Sequence, residues 1–117
     1  LLASYFKQED SNLFLFCNKF TVLETAEAMK NCSVVISNDT GPMHLAYSVG
    51  TPVVALFSSR NFPGEWDPPD NGSNKMVRTD NIDCSICFNS ECSINICMRM
   101  ITPKLVVSLC DNVLRRE

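Results

Sequence analysis

Two β-branched runs, Ser33-Val34-Val35-Ile36-Ser37 and Pro52-Val53-Val54-Ala55-Leu56-Phe57, constrain this chain more than any other feature. Neither run alternates apolar with polar residues, so each is expected to be buried on both faces. The segment between them, Pro42 to about Val49, suits a short helix, with Pro42 at the first helical position and Gly50 just past the end. A third apolar run, Asn12-Leu13-Phe14-Leu15-Phe16-Cys17, reads as an earlier buried strand. After it, Thr21-Val22-Leu23-Glu24 has the spacing of a capping box, in which Thr21 and Glu24 exchange hydrogen bonds. The helix it opens carries Leu23, Ala26 and Met29 on its apolar side, with Val22 flanking it, and stops at Asn31. Strand, helix, strand, helix, strand with short connections implies an α/β fold: a Rossmann-like parallel sheet with helices on both faces.

Downstream the character changes. Residues 58–75 form a Pro/Gly-rich loop, and Lys75 to Thr79 fits a short edge strand. Residues 84–97 are cysteine-rich with little periodicity. Thr102-Pro103 is a cap followed by a first helical residue, opening a closing helix over 102–116 with Leu105, Val106, Leu109 and Val113 on one side. At the other end, Leu1 to Lys7 reads like the last turns of a helix already under way, so a fragment is expected.

A length of 117 residues and 45% hydrophobic content suffice for one domain with a core. A net charge of −3 gives no support for nucleic-acid binding, and no basic run marks a membrane patch. The apolar stretches fall far short of the roughly 20 residues that span a bilayer. Seven cysteines, an odd number without a secretory signal, argue against a secreted disulfide scaffold and for a reduced, cytoplasmic protein. Cys17, Cys32 and Cys110 lie in apolar stretches and read as core residues. Cys84, Cys87, Cys92 and Cys97 are clustered. Four thiols could be structural or locally cross-linked, could hold zinc or an iron–sulfur centre, or could serve a Cys-x-x-Cys redox role.

The chemistry centres on Asp39-Thr40-Gly41-Pro42-Met43-His44, where a buried strand hands over to a helix. Ligands of parallel sheets bind at strand carboxyl ends, and free amides at a helix start suit phosphate. Gly41 permits close backbone approach, Thr40 offers a hydroxyl as cap or phosphate donor, and His44 can aim a ring N–H at the same anion. Asp39 would be repelled by a diphosphate. It should accept hydrogen bonds from sugar hydroxyls or hold the turn through backbone amides. Capping alone would also account for Asp39 and Thr40. Arg60, at the carboxyl end of the third strand, is placed for a diphosphate contact, and Ser58 and Ser59 share that location. Trp66 reads as an aromatic plug anchoring its loop or as an acceptor- or base-side wall of a cleft. Lys75, Arg78 and Arg99 read as solvated surface.

The string Ser37 to Ala46, followed by Gly50 to Phe57, closely resembles the signature of glycosyltransferase family 9, which contains ADP-heptose:lipopolysaccharide heptosyltransferases. The likeness runs from about Asn12 to the chain end and includes the Thr21–Glu24 helix, the Arg60–Trp66 loop and the four clustered cysteines. It implies a GT-B fold, of which residues 1–117 would be part of the C-terminal, nucleotide-sugar-binding half. By that likeness Asp39, Thr40, Gly41, Pro42, His44 and Arg60 would bind the donor, and the loop Asn18 to Thr21, with Lys19 and Phe20, would border its base. Transfer would be inverting, of hexosyl or heptosyl type, with no cofactor required. Nothing resembles an Asp-x-Asp metal motif; Asp67 and Asp70 are separated by two prolines. No catalytic base is expected in this chain, which alone should not turn over. The implied partners are a nucleotide sugar such as ADP-heptose and a glycan or glycolipid acceptor. The implied location is cytoplasmic, at the inner face of the cytoplasmic membrane for a full-length enzyme. The alternative is a non-catalytic nucleotide- or metal-binding module derived from the same fold.

Overall fold

The computed structural model describes residues 12–115. The helix end expected at Leu1 to Lys7, and the last residue of the expected closing helix, lie outside them. The chain runs through α1 (Val22–Lys30), β1 (Val35–Asn38), α2 (Gly41–Ser48), β2 (Val53–Phe57), β3 (Lys75–Arg78), α3 (Ile96–Arg99) and α4 (Pro103–Leu114). The strands form one parallel sheet in the order β1-β2-β3. Val35 lies opposite Val53 and Val54 opposite Lys75, so β2 is the central strand.

The centre of the sheet explains the unbroken apolar run. Val53, Ala55 and Phe57 face α2 and meet Met43 and Ala46, and Val54 on the opposite face is equally buried. Helix α4 also contacts β2 and carries the buried Val113. Successive residues of a strand point to opposite faces, so burial of both sets requires a cover on each side.

The caps form largely where the residue types demand them. Thr21 receives the Glu24 N–H, while the Glu24 carboxylate accepts from the Thr21 N–H and hydroxyl at 2.8 Å each. Helix α2 ends in paired bonds, Gly50 N–H to the Tyr47 carbonyl and Thr51 N–H to that of Ala46. Gly50 stands at φ +85°, a conformation that costs glycine least. The Thr102 hydroxyl accepts the Leu105 N–H and starts α4. At the start of β2, the buried Asn74 side chain accepts the Val53 N–H at 3.1 Å and donates to the Pro69 carbonyl.

Several expectations fail. The run Asn12 to Cys17 is not a strand: it pairs with nothing among the described residues, and its side chains are exposed. Its aromatic residues stack on one another instead, Phe14 on Phe16 and Phe16 on Phe20. Helix α1 has no fully buried residue, and Val22 and Leu23 are exposed; Met29 is the side chain that packs on the core. The helix turns its Thr25, Ala26 and Met29 side inward, and its C-terminal end is tethered by the Thr51 hydroxyl donating to the Met29 carbonyl at 2.8 Å. Cys17 and Cys32 are exposed rather than core residues. Cys110 is half-buried, and burial, with the Asp111 charge beside it, pushes its thiol pKa up. No described helix is long and apolar enough to cross a membrane.

Candidate functional site

The β1–α2 turn opens into a hollow of about 530 Å³ at the carboxyl end of the sheet. Asn38, Asp39, Thr40, Gly41 and His44 line it from the turn, and Leu56, Ser58 and Arg60 from the end of β2. Asn61 and Trp66 close it from the Pro/Gly-rich loop, and Met98 enters from α3. The Asp39 N–H bonds the Leu56 carbonyl at 3.2 Å, prolonging the β1–β2 ladder and fixing the turn against the central strand.

Each turn residue has a definite role. Thr40 is the N-cap by backbone position, yet its hydroxyl makes no cap bond and instead donates to the Asn38 carbonyl at 3.3 Å. The expectation of a side-chain cap is therefore corrected. The backbone carbonyl of Thr40 does accept the Met43 N–H at 3.0 Å. Pro42 has no N–H to offer, which leaves Gly41 as the first-turn amide without an intrahelical acceptor. A Cβ added at Gly41 would meet no protein atom within 4 Å, so the space above this residue is open. Among the described residues no group donates to the Asp39 carboxylate, so it does not hold the turn through amides.

His44, one turn into α2, has its Nδ1 2.5 Å from the Tyr47 hydroxyl. A hydroxyl donating to Nδ1 puts the ring proton on Nε2. Tyr47 was not among the sequence candidates, although its separation of three residues from His44 on a helix was legible. Met98 was not foreseen, because the single-turn α3 that carries it follows a cysteine-rich stretch with little periodicity. Arg60 lines the hollow with its Nε buried and, among the described residues, without a hydrogen-bond partner. Ser58 faces the hollow, whereas Ser59 is buried and its hydroxyl bonds the Thr79 carbonyl, a structural role.

A second hollow, of about 610 Å³, lies on the other side of the α2 N-terminus and shares Gly41 and His44 with the first. Its walls are mainly apolar: Phe20, Val22, Pro42 and Leu45. Phe20 is thus brought to the site and Lys19 is not part of this lining.

Arg78 is not solvated surface. Its side chain is 6% exposed, and Nη2 donates to Asp67 Oδ1 at 2.8 Å. Its guanidinium lies 4.7 Å from the centroid of the Phe57 ring. Cys84, Cys87, Cys92 and Cys97 are free thiols around a third hollow of about 330 Å³, beside Arg60. Among the described residues, no three His, Cys, Asp or Glu side chains are arranged to hold a metal ion, so the arrangement lends no support to the zinc alternative. The segment is fastened through its backbone instead, the Ile86 and Phe88 N–H groups donating to the Ser59 and Arg60 carbonyls.

The parallel α/β sheet thus carries, at the carboxyl end where such sheets bind ligands, a strand–helix turn flanked by one polar and one apolar hollow. Residues 3–97 match the model of glycosyltransferase family 9 (heptosyltransferase), and the chain belongs to that family. It is 29% identical over 113 residues to a lipooligosaccharide heptosyltransferase 2 of Campylobacter jejuni serotype O:2, covering 95% of this chain and 35% of the relative. A second protein of that description, from serotype O:6, is 28% identical over 103 residues, with 86% and 32% covered. A third, from Haemophilus influenzae, is 30% identical over 60 residues, with 51% and 17% covered. The chain spans about a third of the length of the first two relatives. No solved structure matches it.

Proposed function

We propose that the chain is the donor-binding part of a glycosyltransferase that moves a sugar, heptose from ADP-heptose, onto a cell-envelope glycan such as a lipopolysaccharide core. The observation that carries this reading is the open space over Gly41 at the head of α2, with His44 and an Arg60 Nε that has no partner among the described residues lining the same hollow. The names of the relatives supply the sugar and the acceptor class.

Breaking the bond between the anomeric carbon and the diphosphate leaves negative charge on the leaving group. In this reading the Gly41 N–H, the start of α2, the His44 Nε2–H and the Arg60 guanidinium receive that charge. These donors stand in place before the reaction, so the step needs no metal. Thr40 contributes backbone and hydroxyl groups beside the phosphates. Pro42 keeps the first turn rigid. Asp39, whose carboxylate accepts no hydrogen bond among the described residues, takes the hydroxyls of the sugar. The apolar hollow at Phe20 takes the flat base, with Lys19 in the adjoining turn. Inversion requires a general base on the opposite side of the sugar, supplied by a carboxylate outside this chain. The acceptor would be drawn from a membrane-bound glycolipid, with the enzyme working at the inner face of the cytoplasmic membrane.

Isothermal titration of the intact protein with ADP-heptose, ADP and UDP tests the reading. Binding of ADP-heptose and ADP in preference to UDP is expected. Failure of the intact protein to bind any of the three would defeat it, and binding without transfer to a heptose-deficient acceptor would favour a non-catalytic nucleotide-binding module.

A further inference from the structure

We propose that Trp66 is the platform on which the transferred sugar ring of the donor lies, and that Asp67 and Arg78 are positioning residues that hold it there. The inference rests on the donor reading above and adds to it the residue that senses the sugar.

The two hollows beside α2 differ in chemistry. The one at Phe20 is apolar and suits a flat base, whereas the other presents Asn38, Asp39, Ser58 and Asn61, which suit a polyhydroxylated ligand. A sugar ring offers hydroxyls at its rim and a patch of C–H bonds on its face. Polar side chains take the rim, and an aromatic ring takes the face. Trp66 supplies that ring: it lines the polar hollow and is 50% exposed. Its ring centroid lies 6.2 Å from that of His44 with the planes at 78°, so the two rings meet edge to face rather than stacked flat.

A half-exposed indole on a Pro/Gly-rich loop would ordinarily be free to collapse. Here the next residue is clamped on both oxygens. Asp67 Oδ2 accepts the Gly64 N–H at 3.1 Å, which closes the turn around Trp66, and Oδ1 accepts Arg78 Nη2 at 2.8 Å. Arg78 is rooted in β3 against the buried Phe57 ring, and Pro68 restricts the chain immediately after Asp67. An ion pair with one side chain 6% exposed adds little stability over an apolar pair of the same shape. Its geometric effect, carrying the rigidity of the sheet out to Trp66, accounts for its presence better.

The test is titration of the intact protein with ADP and with ADP-heptose, for wild type, Trp66→Ala, Trp66→Phe, Asp67→Asn and the double variant Trp66→Ala/Asp67→Asn. ADP affinity serves as the control for folding and for the phosphate and base contacts. Trp66→Ala should weaken ADP-heptose by roughly threefold to tenfold. Its effect on ADP, which lacks the sugar, should be smaller, with Trp66→Phe intermediate. Asp67→Asn should weaken ADP-heptose only where Trp66 is present, since it acts through that ring. Equal losses for ADP and ADP-heptose in Trp66→Ala, or no loss for either, would overturn the platform. An Asp67→Asn loss that simply adds to that of Trp66→Ala would overturn the positioning role. Absence of nucleotide binding in the wild type would instead strike the donor reading itself.

Discussion

The Tyr47 hydroxyl stands 2.5 Å from His44 Nδ1, one turn along α2, and this contact decides which nitrogen His44 can offer to a ligand. With Nδ1 engaged by the Tyr47 hydroxyl, Nε2 is the ring nitrogen left to meet a ligand. His44→Ala is expected to weaken ADP binding by roughly tenfold, the loss of one hydrogen bond to a charged group. Tyr47→Phe keeps the ring and loses only the tautomer lock, so its effect should be smaller, about threefold. Titration calorimetry on the intact protein measures both. Equal affinity in wild type and His44→Ala would remove His44 from the phosphate site.

Gly41 separates folding from binding. Because an added Cβ meets no protein atom within 4 Å and the position is helical, Gly41→Ala should fold as well as wild type. It could gain up to about 0.5 kcal/mol from the better helix former. The same methyl group would occupy the space in which a diphosphate must approach the amide. ADP affinity should therefore drop by about tenfold or more while the thermal midpoint holds or rises. A variant that binds ADP normally would show that the phosphate lies elsewhere.

How much of this was legible depends on how local each signal is. β1, α2 and β2 were readable because β-branched runs, Pro42 and Gly50 act within a few residues of themselves. The parallel pairing followed from the short connections. The Asn12–Cys17 run failed because an apolar stretch becomes a strand only beside another strand, which is a nonlocal condition. On α1, Ala26 and Met29 face inward as expected, while Leu23 at the first turn is exposed, because whether an apolar position is covered depends on distant neighbours. Within the site, Asp39 to His44 were legible as a contiguous motif. Arg78 was not, since its partner Asp67 lies eleven residues away in an irregular loop and its cover, Phe57, on another strand.

Breaking the Arg78–Asp67 pair from the cation side leaves a partly buried carboxylate and empties the space against Phe57. Arg78→Ala is expected to destabilise the fold by roughly 3 kcal/mol, read as a lowered midpoint in urea unfolding. Arg78→Met fills the space but strands the carboxylate, and combining it with Asp67→Asn should recover part of the loss. Arg78→Ala with wild-type stability would mean that the pair contributes nothing.

The capping box of α1 makes a pH-dependent prediction. Hydrogen bonds from the Thr21 N–H and hydroxyl hold the Glu24 carboxyl below the usual carboxylate range. A carboxylate whose folded pKa is depressed adds stability above its unfolded pKa, near 4.3 for an ordinary Glu. The contribution shrinks as the pH falls below that value and is gone below the folded pKa. Thr21→Ala removes the hydroxyl, which is one of the two donors to the carboxylate and the acceptor of the Glu24 N–H, but keeps the backbone N–H, so the folded carboxyl should stay lowered by less than in wild type. The difference in unfolding midpoint between wild type and Thr21→Ala should therefore be largest at pH 6 to 7 and narrow steadily below about pH 4. A residual gap at low pH measures the cap bond to the Glu24 N–H, which does not titrate. A gap that widens on acidification would show that Glu24 gains its proton more readily in the folded state, contrary to the bonding at Thr21.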